Sequence, residues 1–278
     1  MTDLKIKRGT IDLNGMNLFY RETGSDLPPL LCLHGKYGRG ETWIDLMRRY
    51  GDRFRIIAPD QRGHGLSGKP VARYAGEEFA TDAYELLSGL RALPATVVGH
   101  SIGGRNAAYL AALYPHAVRR LVLLDAKSEG PAALSSLPPD RVSPVDPLTA
   151  DWPTPYASYQ EALDDLGRRF AYPSNLRYFV ESLTETVAGY DFLFSRHAMS
   201  AIDVYYQGWD SLLSRIECPV LLVRAKKSWY LSEAEAAKMR RLIKNGIYFE
   251  VSDSDHIVYA DNPDEFDPGF ERFISASP

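Results

Sequence analysis

Ser101 lies in Gly99-His-Ser-Ile-Gly103, between a β-favouring run (residues 95–98) and a helix-like run that starts at Arg105. A serine on a sharp strand-to-helix turn is exposed at the top of a sheet, in position to attack a carbonyl. Its neighbours must be small, because the turn strains the backbone at the serine and brings other main chain close. The helix start beneath it favours developing negative charge. A serine hydroxyl is a weak nucleophile alone. It needs a base within hydrogen-bond reach, and the base needs an acid to orient it. Of the six histidines, His256 follows the last strand-like run (247–251) and precedes a helix that starts near Pro263. That places it at the carboxyl edge of a sheet beside Ser101 and makes it the candidate base. His100 adjoins the serine, but adjacent residues on such a turn cannot face one another. His116 reads as a surface residue at a helix end, and His197 as either a substrate contact or a packed structural histidine.

The elements that must position these groups alternate. Residues 4–7 and 17–22 read as two edge strands joined by a turn at Asn14-Gly15. Apolar runs at 29–33, 54–58, 95–98 and 120–125 read as strands, separated by helices at 41–50, 77–92 and 105–113. From 130 to about 213 the alternation stops: prolines lead into helical segments at 159–170, 175–188 and 201–213, with no strand. It resumes with a strand at 220–224, a helix at 232–243, the strand 247–251 and a helix at 264–274. Apolar strands alternating with helices predict a mostly parallel sheet covered on both faces. The expected division is a core of residues 1–129 and 214–278, interrupted by a helical insertion at 130–213.

Bulk properties set bounds on function. The chain has 278 residues, 45% of them hydrophobic and 24% charged, with a net charge of −4 and no basic block. Nucleic-acid binding is not indicated. Cys32 and Cys218 read as reduced, buried thiols. No apolar run approaches a membrane span and the N-terminus lacks a signal-peptide core, so the expected location is the cytoplasm. The expected partner is a small molecule, carboxylate-bearing or aromatic; neither a cofactor nor a metal is implied, and oligomeric state stays open.

Taken together, His34-Gly35, Asp60-Gln-Arg-Gly-His-Gly-Leu-Ser67, the Ser101 turn and His256 resemble capped enzymes of the α/β-hydrolase fold. The resemblance implies an eight-stranded, mostly parallel sheet with a helical cap inserted after the sixth strand, and makes His34 and His64 structural turn residues. It also implies the chain order Ser, acid, His. Most relatives place the acid after the strand equivalent to 220–224, where this chain reads Ala225-Lys-Lys-Ser-Trp-Tyr230 and Ser228 takes the position. The fold's alternative lies after the previous strand of the sheet, here Asp125, with Glu129 as the fallback. Asp253 and Asp255 are too close to His256 in sequence to orient its far side. With this relocated acid, Gly99–Asn106 and Val220–Ser228 are similar to 2-(acetamidomethylene)succinate hydrolase-like enzymes, which cleave an amide. The oxyanion hole implied by the fold is the backbone N–H of Ile102 and of Lys36; the Lys36 side chain reads either as solvated, the more usual case for a lysine, or as a contact for an anionic substrate.

Residues 152–209 are rich in aromatics. Tyr156, Tyr159, Tyr172, Tyr178, Tyr190, Tyr205, Tyr206 and Trp209 are candidates either to line a pocket roof or to fill the core of a thin cap. Trp229 and Tyr230, in the later loop, are candidates to touch ligand. Acidic residues outnumber arginines from 130 to 215, so no basic trap is visible. Arg168, Arg169 or Arg105 could still hold one substrate carboxylate, or merely face solvent. The leading expectation is a serine hydrolase of a small ester, amide or lactone. The alternatives are a cofactor-free oxygenase of a heteroaromatic ring, a C–C bond hydrolase and a non-catalytic ligand receptor. Ile102 stands where the oxygenases carry a second histidine, which favours the hydrolase.

Overall fold

The structure, a computed structural model, describes residues 4–276 apart from positions 14 and 25. In chain order the core begins β1 (Lys7–Leu13), β2 (Met16–Glu22), β3 (Pro29–Leu33), α1 (Ile44–Tyr50), β4 (Arg55–Pro59), α2 (Gly76–Gly89), β5 (Ala95–His100), α3 (Ile102–Leu113) and β6 (Val118–Leu124). An insertion follows: α4 (Tyr159–Arg169), α5 (Pro173–Val180), β7 (Leu183–Thr186), β8 (Gly189–Phe192), α6 (Arg196–Val204) and α7 (Asp210–Leu213). The core then closes with β9 (Val220–Ala225), α8 (Glu233–Leu242), β10 (Gly246–Val251), α9 (Val258–Asp261) and α10 (Pro263–Ile274).

Eight strands form one sheet in the order β1-β2-β4-β3-β5-β6-β9-β10. β1 and β2 pair antiparallel, β2 meets β4 antiparallel, and every later pairing is parallel. The central strands are largely apolar and buried at almost every position because both faces are covered. The period-2 alternation sends Leu30, Cys32, Ile56, Val98, Val122 and Leu221 into one core with α1 and α10. It sends Leu31, Leu33, Ile57, Val97, Leu121 and Leu222 into a second core with α2, α3 and α8. β6 pairs directly with β9, Leu121 opposite Val220, so the insertion leaves the sheet at one strand end and returns beside it. The strand order changes direction between β3 and β5. Their carboxyl ends flank the crevice where ligands bind in open α/β sheets.

Several expected elements shift. The first strand is 7–13 and not 4–7, because a hairpin partner of β2 must occupy the residues immediately before the turn; Lys7 pairs with Glu22 and Leu13 with Met16. Of the expected turn pair, Gly15 has φ +86°, whereas Asn14 lies outside the described residues. The insertion is not purely helical. The expected helix 175–188 ends at Val180, and β7 and β8 form an antiparallel hairpin, Leu183 opposite Phe192. Thr184, Thr186 and Val187 are β-branched, and Gly189 turns the chain with φ +122°, so local preference opposes a helix there. The expected helix 201–213 is two shorter ones, α6 and α7, with Tyr205 through Trp209 between them. Cys32 is buried and Cys218 only half-buried, and both are free thiols.

Two glycine substitutions test this packing. A Cβ on Gly99 would stand 2.2 Å from the Gly103 carbonyl oxygen and 2.7 Å from Gly104 Cα, all backbone. Gly99→Ala is expected to destabilise by about 1–3 kcal/mol or more, since main chain cannot give way as a side chain does. Gly167, exposed within α4, has nothing within 4 Å of its Cβ position. Gly167→Ala is expected to stabilise by about 0.5–1 kcal/mol through helix propensity. Urea unfolding of both variants measures the two signs.

Candidate active site

β5 runs straight into Ser101, which caps α3 with φ 55° and ψ −120°. An L-residue in this conformation holds about 1–3 kcal/mol of strain, tolerated only where the surroundings over-determine it. Here they do. The Ser101 N–H donates to the Leu124 carbonyl at 2.9 Å, continuing the sheet ladder through the turn. The start of α3 is wedged so tightly that a Cβ on Gly103 would meet the Leu33 and His34 carbonyl oxygens at 2.3 and 2.6 Å. The loop after β3 is equally close: a Cβ on Gly35 would lie 3.1 Å from Ser101 Cβ. Ile102 is the first residue of α3, where N–H groups have no partner within the helix.

His256 stands in the loop between β10 and α9, with its Nδ1 2.8 Å from Asp125 Oδ2. A carboxylate only accepts, so Nδ1 carries the proton and Nε2 is left as the basic nitrogen. Asp125 follows β6, is fully buried, and has φ 46°. Its Oδ1 accepts from the Ala225 N–H at 3.0 Å, and its Oδ2 also accepts from Ser228 Oγ at 2.5 Å. Ser228 Oγ in turn accepts from the Tyr230 and Leu231 N–H groups. Its role as a support for Asp125 was missed in the sequence, where it stood out only as a missing acid. Glu129 is exposed and Asp253 pairs with Lys227. Asp255 accepts from Asn175 Nδ2 at 3.0 Å.

Three other histidines near the site serve the scaffold. His100 Nε2 is 2.8 Å from the His256 carbonyl oxygen, and the two rings are 4.6 Å apart. Burial, and then the neighbouring His256, push the His100 imidazole well below its usual pKa. His34 accepts from the Gln61 N–H at 2.9 Å through Nε2, and burial lowers it to about 4. His64 packs edge-on against His34 and is likewise depressed by burial. All three are neutral near pH 7.

Ser101, Ile102, His256 and Lys36 line one cavity of about 540 Å³ between the strand ends and the insertion. Trp229 and Tyr230 line it too, their rings 5.2 and 4.9 Å from His256. Of the aromatics expected as a roof, Tyr178 and Tyr206 reach it; Phe170, Phe179 and Tyr37 join them from positions the sequence did not single out.

Other expected contacts lie elsewhere. Tyr156 is buried with its hydroxyl on Asp165 at 2.9 Å, and Tyr190 bonds to its backbone in both directions. Both are spent on seating the β7–β8 hairpin. Arg168 is exposed and pairs with Asp165, while Arg169 bridges Asp165 and Asp151 over the Trp152 ring. Arg105 is buried away from the cavity, bonded to Asn106 and the Tyr74 carbonyl, with Phe79 and Tyr206 rings near its guanidinium. The Lys36 ammonium is not solvated: it contacts Asp146 at 2.6 Å and Asp203 at 2.7 Å. Burial alone would raise the Asp146 carboxyl, but Lys36 and the Tyr37 hydroxyl outweigh it and hold the group below its ordinary value. Among the described residues no His, Cys, Asp and Glu cluster is arranged to hold a metal, and no helix is long and apolar enough to cross a membrane.

Comparison with known proteins agrees with this architecture. Over 115 residues the chain is 43% identical to a 2-(acetamidomethylene)succinate hydrolase from Mesorhizobium japonicum. That match spans 41% of this chain and 41% of the relative, so about two-fifths of the relative's length is covered. The crystal structure of an E-2-(acetamidomethylene)succinate hydrolase superposes with a TM-score of 0.84 at 28% identity, covering 98% of this chain and 100% of the other. The enol-lactonase from Burkholderia xenovorans LB400 shares the fold at 20% identity, with a TM-score of 0.75 over 96% of this chain and all of that one. Residues 28–263 match the α/β hydrolase fold family, and with this sheet order the chain belongs to that family.

Proposed function

We propose that the protein is a serine hydrolase of a small ester, amide or lactone, working through an acyl-enzyme. The observation that carries the reading is a serine in a strained strand-to-helix turn, sharing a cavity with a histidine whose Nδ1 is bonded to a buried aspartate. Residues 130–213 act as a cap, contributing Asp146, Phe170, Tyr178, Phe179, Ile202, Asp203 and Tyr206 to the cavity.

In the first half-reaction Ser101 Oγ bonds to the substrate carbonyl carbon while His256 Nε2 takes its proton. Asp125 keeps Nδ1–H in place and stabilises the imidazolium; it does not itself become protonated. The oxyanion rests on the Ile102 and Lys36 N–H groups, the first at the start of α3 and the second in the loop pressed against Ser101. The C–O or C–N bond then breaks, and the leaving group takes the proton from His256. In the second half-reaction water loses a proton to His256 and attacks the acyl carbon, and Ser101 leaves with that proton. The hydrolases among the similar proteins support the reaction class. Similarity to hydrolases named for an acetamidomethylene succinate is the reason amides are included in the proposal.

Three variants test the roles. Ser101→Ala is expected to lower kcat by about 10⁶-fold on a p-nitrophenyl ester and to abolish labelling by a fluorophosphonate, with unchanged circular dichroism. Turnover persisting near the wild-type rate in that variant would sink the mechanism. Asp125→Asn is expected to cost about 10³–10⁴-fold in kcat by favouring the wrong tautomer. Ser228→Ala removes one charge-assisted bond to Asp125 and is expected to cost about 10- to 100-fold in kcat with little change in KM.

A further inference from the structure

The charges around the cavity restrict what can enter it. Lys36 is the only lysine or arginine lining it among the described residues. Its ammonium is already held between two carboxylates, Asp146 and Asp203, each within 2.7 Å. Asp146 is fully buried and fixed further: the Tyr37 hydroxyl reaches both its oxygens at 2.9 Å, and Thr149 bonds Oδ2 through its N–H and its hydroxyl. Asp203, from α6, is half exposed. This wall therefore carries one positive and two negative charges. Asp125 beneath His256 and Asp255 beside it add more negative charge.

The nearby cations do not change this. Arg105 bonds Asn106 and the Tyr74 carbonyl through Nε and Nη2, with Nη1 unpartnered and buried, and the Lys127 ammonium lies over the Tyr230 ring, 4.8 Å from its centroid; neither is among the residues that line the cavity. The remaining surface is largely aromatic and aliphatic, with Trp229, Tyr230, Phe170 and Phe179 prominent. A substrate carboxylate bound here would lose its water, meet no free cationic side chain among the described residues that line the cavity and face like charges.

We infer that the substrate is an uncharged ester or amide bearing an aromatic or apolar group, and that the site discriminates against carboxylate-bearing substrates. This rests on the serine-hydrolase reading and separates the chain from relatives named for a succinate, which is a dicarboxylate. An aromatic group stacks against the cavity's rings, while the Lys36–Asp146–Asp203 cluster repels anions and joins the loop after β3 to the insertion.

The test compares the rates at which two phosphonofluoridates modify Ser101, one ending in phenyl and one of matched length ending in a carboxylate. Each rate is divided by the reagent's spontaneous hydrolysis. The neutral reagent is expected to react at least about tenfold faster, because like-charge juxtaposition opposes the other. A ratio below tenfold overturns the substrate class and leaves the serine-hydrolase reading intact. No modification of Ser101 by either reagent removes the hydrolase reading and this inference with it. In Asp203→Asn, one carboxylate on Lys36 is lost, and the ratio is expected to fall by about threefold or more. An unchanged ratio in a folded variant overturns the assignment of the discrimination to this cluster.

Discussion

One buried carboxylate ties the strand ends together. Asp125 extends from the end of β6, takes an N–H from the end of β9, a hydroxyl from the loop beyond it, and the ring of His256 from the loop after β10. A fully buried carboxylate without such partners would be expensive. Each donor also fixes a loop. Because β6 pairs with β5, the carboxylate that holds His256 stands one strand spacing from Ser101, although β10, which leads to His256, lies three strands away. Small movements in this part of the sheet would therefore be felt at the imidazole.

The second constraint is close packing of main chain around the serine. Gly99, Gly103 and Gly35 each lie where a Cβ would press on backbone or on the site's own side chains. They allow α3 to begin immediately after β5 and let the loop after β3 approach Ser101. The strained Ser101 conformation persists because these contacts and the Leu124 hydrogen bond leave it no alternative. Rigidity on this side of the cavity comes from backbone. On the other side the cavity is walled by side chains of the insertion, where Lys36 and Tyr37 bind Asp146 and the aromatics stack on one another.

Buried polar groups cluster at the same sheet edge. Asp60 accepts from Arg21, the Gly40 N–H and the Leu66 N–H, holding the loop after β4. His34 binds the Gln61 N–H, and Gln61 binds the His34 carbonyl and Asn106. These neutral or paired groups build a scaffold around the two imidazoles that line the cavity, His100, whose Nε2 donates to the His256 carbonyl, and His256, held through Nδ1 by Asp125. The histidines around it are spent on main-chain partners or depressed by burial.

Much of the core was legible from local pattern. Apolar runs of four or five residues with helices between them have few alternatives to a covered parallel sheet, and the glycine spacing around Ser101 has a local steric cause. Position after the last strand sufficed to single out His256. The insertion was less legible, because thirteen aromatics at mixed spacing fit a core or a cavity equally well, and only packing sorts Tyr178 and Tyr206 from Tyr156 and Tyr190. The hairpin at β7 and β8 was missed since short two-stranded units draw their stability from neighbours rather than from their own sequence. Charge pairing was invisible for a related reason. Lys36 meets partners 110 and 167 residues away, and Ser228 meets Asp125 across 103. Sequence singled out the candidate residues, through the local pattern around Ser101 and the position of His256 after the last strand; tertiary structure decided which charges are paired and which are not, because electrostatic partners are chosen by distance in space and not along the chain.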